Sequence, residues 1–474
     1  MTRRTLHRTA AALVCAALSI GAAACSSPDS PPTVTQDAWP DPPKDRPVVD
    51  LSFSVGDDLS SASGTETVTF TPDREVCELV FRAWPNKPAT ARTGNALTVR
   101  TVTVDGAKLP LTVSAGGAPS DAPGTLVSAT LPSCSPGGRA VTASLTFDLR
   151  LGARTDERIG YSPRIEVAWL GSAYPMLAWT RNVGWVRDDG VDVVGDAATS
   201  EAFTLRSLEV EAPSSYNVAG MGTPDEPRPA AEAGKSVHRF SAEVVRDVTV
   251  TVGEIDLTTT QAGDTAITVA MPRQGRVKAD AQDWTQASRS ALDDLSRLLG
   301  PVPTHHIWLS VLPHVSEGVE FGQAVQFADV DPAKDQWLVV HELAHMWFYG
   351  LVGNDQALSP WLDESFATYA QEVVAPAGMT TGRRHIVSGA VGDSMSQWAQ
   401  RRRADSAYVD TVYGAGGQAL LDARKAVGPE SFDAAIHEYL RRHAWGIATP
   451  DDVADALADL PAARDILRTA GALR

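Results

Sequence analysis

The chain has 474 residues, with 58 acidic against 41 basic side chains and a formal net charge of −17. Hydrophobic residues at 43% and charged residues at 21% are a globular balance, which excludes wholesale disorder. The acidic surplus argues against a nucleic-acid binder, because nothing offsets phosphate repulsion, and four cysteines are too few for a disulfide-built scaffold.

Residues 1–24 read as an address rather than a fold. Arg3, Arg4 and Arg8 make a basic start, and Ala10 to Ala24 is an apolar, Ala-rich run. That run is too short to span a bilayer comfortably. Ala22-Ala23-Ala24-Cys25-Ser26-Ser27-Pro28 resembles a bacterial lipoprotein signal, with Ala22 where that pattern prefers Leu, Val or Ile. The resemblance implies cleavage before Cys25 and acylation of its thiol. It also implies export, and anchoring of the protein to the cell membrane on its extracytoplasmic side. A plain secretory signal cut after an A-x-A sequence is the alternative. Thr2-Arg3-Arg4-Thr5-Leu6 faintly resembles a twin-arginine export signal, so the export route stays open. No later segment is a continuous apolar run long enough to cross a bilayer, so no further membrane span is expected.

Residues 25–47 read as a tether. Ser26 to Pro47 is dense in proline, at positions 28, 31, 32, 40, 42, 43 and 47, and proline fixes φ and removes backbone donors.

Residues 48–258 read as an all-β domain. Thr65 to Phe70, Leu97 to Val104 and Val141 to Phe147 alternate with period two and are rich in β-branched residues. Asp105-Gly106 is a hairpin-turn candidate. Cys77 and Cys134 lie in this region. Outside the cytoplasm two cysteines in one domain point to a disulfide, with two buried thiols as the alternative.

Residues 259–474 read as a second, mainly helical domain. From near Lys278, Trp284, Ala287, Ala291, Leu295 and Leu298 follow a helical step, which Gly300 and Pro301 end. Ile307 to Leu312 reads as a strand, and helix dominates from Pro332 onward.

The chemistry concentrates between residues 317 and 413. His341-Glu342-Leu343-Ala344-His345 is an H-E-x-x-H sequence, and Asp331-Pro332 predicts the start of its helix. Residues i and i+4 lie on one helix face, so both imidazoles can ligate one zinc ion. Glu342 is turned by about 100° from its histidine neighbour, so it points beside the metal, where it can take a proton from water. A buried helix with two satisfied histidines is the bland alternative. Glu364 decides against it. Residues 346–363 separate it from His345, and it lies in a second helix predicted to open with Ser359 as cap and Pro360 as first residue. Its carboxylate completes a His-His-Glu set that leaves a fourth zinc position for water.

With these residues the chain resembles the aminopeptidase N and leukotriene hydrolase family of gluzincins. That family carries H-E-x-x-H and, at this same spacing, a Glu in a W-L-x-E-G-F-A sequence. Trp361-Leu362-Asp363-Glu364-Ser365-Phe366-Ala367 fits it, with Ser365 in place of the glycine. Thermolysin-like enzymes usually have one more residue in the gap. Val412-Tyr413-Gly414-Ala415-Gly416 resembles the family's Y-x-K-G segment, with Ala415 at the lysine position. The resemblance implies that Tyr413 hydrogen-bonds the developing oxyanion; an ordinary core tyrosine is the alternative. Glu317-Gly318-Val319-Glu320-Phe321 resembles the family's G-x-M-E-N segment, from which it departs at Glu317, Val319 and Phe321. It implies that Gly318 and Val319 lie along the substrate backbone and that Glu320 binds its free α-amine. Glu317 as the anchor, or a solvated acidic strand end, stays open. Val245-Arg246-Asp247-Val248 resembles the family's join before the catalytic domain, and Ala448 to Asp452 a late helix start.

Several expectations follow from the resemblance. The fold is multidomain α+β: an N-terminal all-β saddle-like domain, then a thermolysin-like, mainly helical zinc peptidase domain, without the family's large helical C-terminal domain. One Zn2+ per chain is held by His341, His345 and Glu364. Glu342 acts as base and Tyr413 assists. The function is an aminopeptidase outside the cell membrane, taking peptides with a free N-terminus. An endopeptidase, a hydrolase of a non-peptide substrate and a non-catalytic zinc-binding surface lipoprotein are the other readings.

Overall fold

The structure, a computed structural model, describes residues 38–153, 158–194, 201–313, 315–378 and 382–474. The signal segment 1–24, the lipidation candidate Cys25 and the first part of the tether lie outside the described residues.

The first half is β-rich. A nine-stranded sheet is built around Val48–Val55, which pairs antiparallel with Ser61–Phe70 and parallel with Phe203–Pro213. Val141–Arg150 follows beyond Ser61–Phe70, then Ala96–Val104. Burial in Ser61–Phe70 alternates residue by residue, as period-two patterning demands of a strand with one face on a core. Asp105 and Gly106 both take positive φ, 50° and 77°, the requirement of a tight type I′ hairpin. Two four-stranded sheets and a two-stranded one, Trp179–Thr180 with Gly184–Trp185, complete the described part of this half. In one of the four-stranded sheets Val76–Ala83 lies beside Leu126–Ser135, and Cys77 is disulfide-bonded to Cys134 across this pair.

A five-stranded sheet follows, in the order Ile255–Ala262, Thr265–Pro272, His306–Leu312, Ala324–Ala328, Gly318–Glu320. It begins at Ile255, so the boundary at 258 falls inside its first strand. The short strand Gly318–Glu320 is an edge, paired on one side only with Ala324–Ala328.

Helices make up most of the rest. Ala281–Leu299 starts later than Lys278, because the Asp280 carboxylate caps it by accepting from the backbone of Gln282 and Asp283. It buries Trp284, Ala291, Leu292, Leu295 and Leu299, and it ends at Gly300 with φ 102°. Gln336–Ala344 and Trp361–Val374 pack against each other and carry the two halves of the metal motif. Pro450–Ala456 starts at the expected place, with a Thr449–Asp452 capping box. Among the described residues no helix is long and apolar enough to cross a membrane.

Among the described residues two large hydrophobic cores result, beside a small cluster of Val80, Leu126 and Ala178. One gathers the β-rich half, together with Trp308, Leu312, Val319 and Phe321 of the edge-strand region. The other gathers the helices and the far face of the five-stranded sheet. At the join, the fully buried Arg246 donates to the backbone carbonyls of Tyr349 (2.8 Å) and Gly446 (3.1 Å), tying the end of the β-rich half to the helical half.

Candidate active site

Both expected helix starts are displaced, for local reasons. Asp331 and Pro332 make a turn, not a helix: the Asp331 carboxylate accepts from the backbone of Ala333 and Lys334, and the helix begins at Gln336 after Asp335. Pro360 is the residue that flanks the second helix, which begins at Trp361. The displacement does not disturb the spacing that matters. His341 lies in the last turn of Gln336–Ala344, and His345 is the residue that ends it. Glu364 sits in the first turn of Trp361–Val374.

These elements bring three side chains to one point. Ligand-type atoms of His341, His345 and Glu364 all lie within 4.8 Å of one another, and all three residues are buried. Glu364 Oε2 is 3.5 Å from Nε2 of each histidine. That oxygen is shielded from solvent and makes no hydrogen bond. His345 Nδ1 is 3.0 Å from the carbonyl of Phe348. When Nδ1 carries the proton, Nε2 is left as a lone pair turned toward Glu364. Two nitrogens and one carboxylate oxygen converging in a buried site, with an unsatisfied oxygen among them, fit a zinc ion.

The charges point the same way. Burial opposes ionisation of Glu364, but the two imidazoles hold its carboxyl far below the usual range. Burial would lower His345; Glu364 first, then Glu342 and Asp363, outweigh it and push the imidazole up to about 9. Burial lowers His341, against Glu364. Asp363 is pushed up to about 7 by burial and by the charge of Glu364. Buried carboxylates crowded together favour a bound cation.

Glu342 belongs to a second buried group. Its carboxylate, that of Glu320 and a ring nitrogen of His345 also lie within 4.8 Å of one another. Glu320 therefore reaches the metal motif from the edge strand, whereas Glu317 is exposed. Both line the cavity, of about 890 Å³, that holds the triad. Gly318 presses against Glu342: a Cβ there would stand 2.4 Å from Cδ, Cγ and Oε1 of that carboxylate. Val319 is buried in the same strand. Tyr413 stacks on His341 with ring centroids 5.7 Å apart and planes 15° apart. Burial, then the charge of Glu364, push its phenol well above its ordinary value, so it is a hydrogen-bond donor.

Some residues of the cavity carry no signal in a motif. Thr368 and Gln371 line it, and their spacing from Glu364, four and seven residues on, is the spacing of one helix face. Lys87 and Arg158 line it from the β-rich half. The Arg158 guanidinium lies 4.9 Å from the ring of Phe321, the residue after Glu320. Trp347 and Trp361 are wholly buried in the helical core, but Trp337 lines the cavity.

Residues 328–469 match the peptidase family M1 domain. The match spans both halves of the metal motif and the tyrosine. Over these residues the chain is similar to the aminopeptidase N family of gluzincins. Aminopeptidase N of Streptomyces lividans is 32% identical over 136 residues, 25% of this chain and 16% of that protein. Aminopeptidase N of Lactococcus lactis subsp. cremoris is 27% identical over 188 residues, 34% of this chain and 22% of that protein. The chain thus matches less than a quarter of the length of either family member. Likeness of fold is wider. A mutant M1 zinc metallopeptidase of Deinococcus radiodurans, solved with a Tyr-Ser-Ala substrate, superposes with a TM-score of 0.65 at 16% identity, over 93% of this chain and 98% of that one. A two-domain M1 zinc metallopeptidase bound to L-arginine gives 0.64 at 16% identity, over 92% and 96%.

Proposed function

We propose that this chain is a zinc-dependent aminopeptidase that removes N-terminal residues from peptides. The observation that carries the proposal is one cavity holding the buried His341, His345 and Glu364 triad together with an edge strand that ends in Glu320. One zinc per chain suits the buried set of two histidine nitrogens and the Glu364 carboxylate found among the described residues. A bound zinc ion would lower the pKa of a coordinated water toward neutrality and polarise the scissile carbonyl.

The chain's own residues supply the rest. Glu342 takes the proton of the attacking water and returns it to the leaving amine. The phenol of Tyr413, kept protonated by burial, donates to the oxyanion as it develops. The outer edge of Gly318–Glu320 offers backbone groups to an extended peptide, as sheet edges do. Glu320 holds the terminal ammonium, which brings the first peptide bond to the triad and rejects blocked chains. The buried place of Glu320 beside Glu342 supports it over the exposed Glu317 as the anchor.

The domain reading extends the same proposal. The β-rich half corresponds to the family's saddle-like domain, and the half from the five-stranded sheet onward to a thermolysin-like catalytic domain. Export, acylation at Cys25 and a position outside the cell membrane rest on the sequence of residues 1–28.

The test uses a peptide library whose members exist in free and N-acetylated forms, digested with the full chain, with and without a zinc chelator. Stepwise loss of residues from free chains only, abolished by chelation and restored by zinc, is the expected result. Internal cleavage of both forms would favour an endopeptidase. Metal bound with no cleavage would favour a binding protein.

A further inference from the structure

The residue that departs from the family's W-L-x-E-G-F-A sequence makes a specific contact. Ser365 follows Glu364 in the Trp361–Val374 helix and is fully buried. Its hydroxyl donates to the backbone carbonyl of Val412 at 2.6 Å. Val412 lies within a π-helix, Val409–Ala415, and is the residue before Tyr413. Short π segments are rare and recur at functional sites, because widening one turn re-aims the side chains it carries. Here the re-aimed side chain is Tyr413, stacked on His341.

The packing is complementary as well. A Cβ on Gly416, the residue that follows the π segment, would stand 2.1 Å from Ser365 Oγ. The hydroxymethyl group of Ser365 fills the space that Gly416 leaves, so the two residues fit as a pair. The opposite side of the π segment is held independently. Thr411 Oγ1 accepts from the backbone of Val387 at 2.9 Å, and the Asp410 carboxylate accepts from the backbone of His385 at 2.9 Å. Ser365 thus supplies a hydrogen bond that ties the π segment directly to the helix bearing Glu364.

We propose that Ser365 is a positioning residue for Tyr413. Its hydroxyl fixes the Val412 carbonyl, and through it the register of the π turn. The Tyr413 phenol is thereby held at a set distance from the metal triad. The inference rests on the role given to Tyr413 above, but the contact is testable without it. A single hydrogen bond to a buried carbonyl is too little to decide the fold and enough to loosen one turn.

The experiment uses the full, zinc-loaded chain labelled with 3-fluorotyrosine, with the Tyr413 fluorine resonance assigned by its loss in Tyr413→Phe. In Ser365→Ala that resonance should shift or broaden while zinc content stays at wild type. Loss of hydrogen-bond aim at one donor should lower kcat about tenfold with KM within about twofold. In a Tyr413→Phe background the same Ser365→Ala change should cost less than about twofold. An unmoved fluorine resonance would overturn the proposal, as would an equal tenfold loss in the Tyr413→Phe background. Ser365→Gly combined with Gly416→Ala refills the volume without the hydroxyl. It should reproduce the Ser365→Ala signature, and wild-type kcat and resonance in that double variant would show packing to be the whole effect. If Tyr413→Phe alone leaves kcat unchanged, the role of Tyr413 fails, while the fluorine resonance still decides the contact.

Discussion

Gly318→Ala isolates the position of Glu342 with one methyl group. The added Cβ would stand 2.4 Å from three atoms of the Glu342 carboxyl group, about 1 Å inside ordinary contact. The backbone at Gly318 does not lie in the left-handed region, so alanine fits it without strain. The crowded neighbour is the end of a flexible side chain, so relief is easy for the fold. Overpacking there should cost about 1 kcal/mol, the low end of its usual range. Relief is costly for the reaction, because Glu342 must retreat by about 1 Å from the place where it meets the water, and a misplacement of that size costs on the order of 100-fold. We expect Gly318→Ala to bind zinc at wild-type stoichiometry and to melt within about 4 °C of wild type. Its kcat/KM on an aminoacyl p-nitroanilide should fall about 100-fold. A kcat/KM within threefold of wild type would refute the reasoning, because the methyl group would then have been absorbed without moving Glu342.

Three further outcomes are expected. Tyr413→Phe removes one donor to the oxyanion and should lower kcat about 100-fold with little change in KM, read by steady-state kinetics; a raised KM at unchanged kcat would assign Tyr413 to substrate binding. Glu320→Ala should raise KM for free-amine peptides by about tenfold or more and leave any N-acetyl-peptide turnover unaffected; equal effects on both would remove it as the anchor. His306 is held down at about 4 by burial, beside Thr268 and stacked on Trp308. Unfolded histidine takes its proton near pH 6.5, so this group's contribution to stability is complete above that pH and is lost as pH falls toward 4. Urea unfolding at pH 7 and pH 4.5 should show a larger loss for wild type than for His306→Gln, and equal losses would show that His306 does not carry the dependence.

The metal motif is legible in the sequence because each of its parts is local. H-E-x-x-H needs only one helix, and Glu364 needs only a second helix in contact with the first. Strand periodicity and the Asp105-Gly106 turn are local too, and the structure follows them. What is not legible depends on approach between distant segments. Gly318 reads as an edge-strand glycine until the chain folds it against Glu342, which lies on a later helix. Ser365 reads as a substitution for glycine, and only the fold brings it to Val412. The π segment at Val409–Ala415 has no period of its own to announce it. Asp331-Pro332 misplaces a helix start because the same capping chemistry also closes a turn. Gln371 had a readable signal, its seven-residue step from Glu364, but a lone glutamine on a helix face points to no chemistry before its neighbours are known.

The central claim is that Glu342 acts as a base beside a zinc ion held by its two histidine neighbours and Glu364. The most direct test is zinc content and turnover measured together on Glu342→Gln. The amide keeps the size of the side chain and removes its basicity. We predict one zinc per chain, as in wild type, and a loss of hydrolysis by a factor on the order of 1,000, within the range general-base removal gives. Activity within tenfold of wild type at full zinc occupancy would contradict the account.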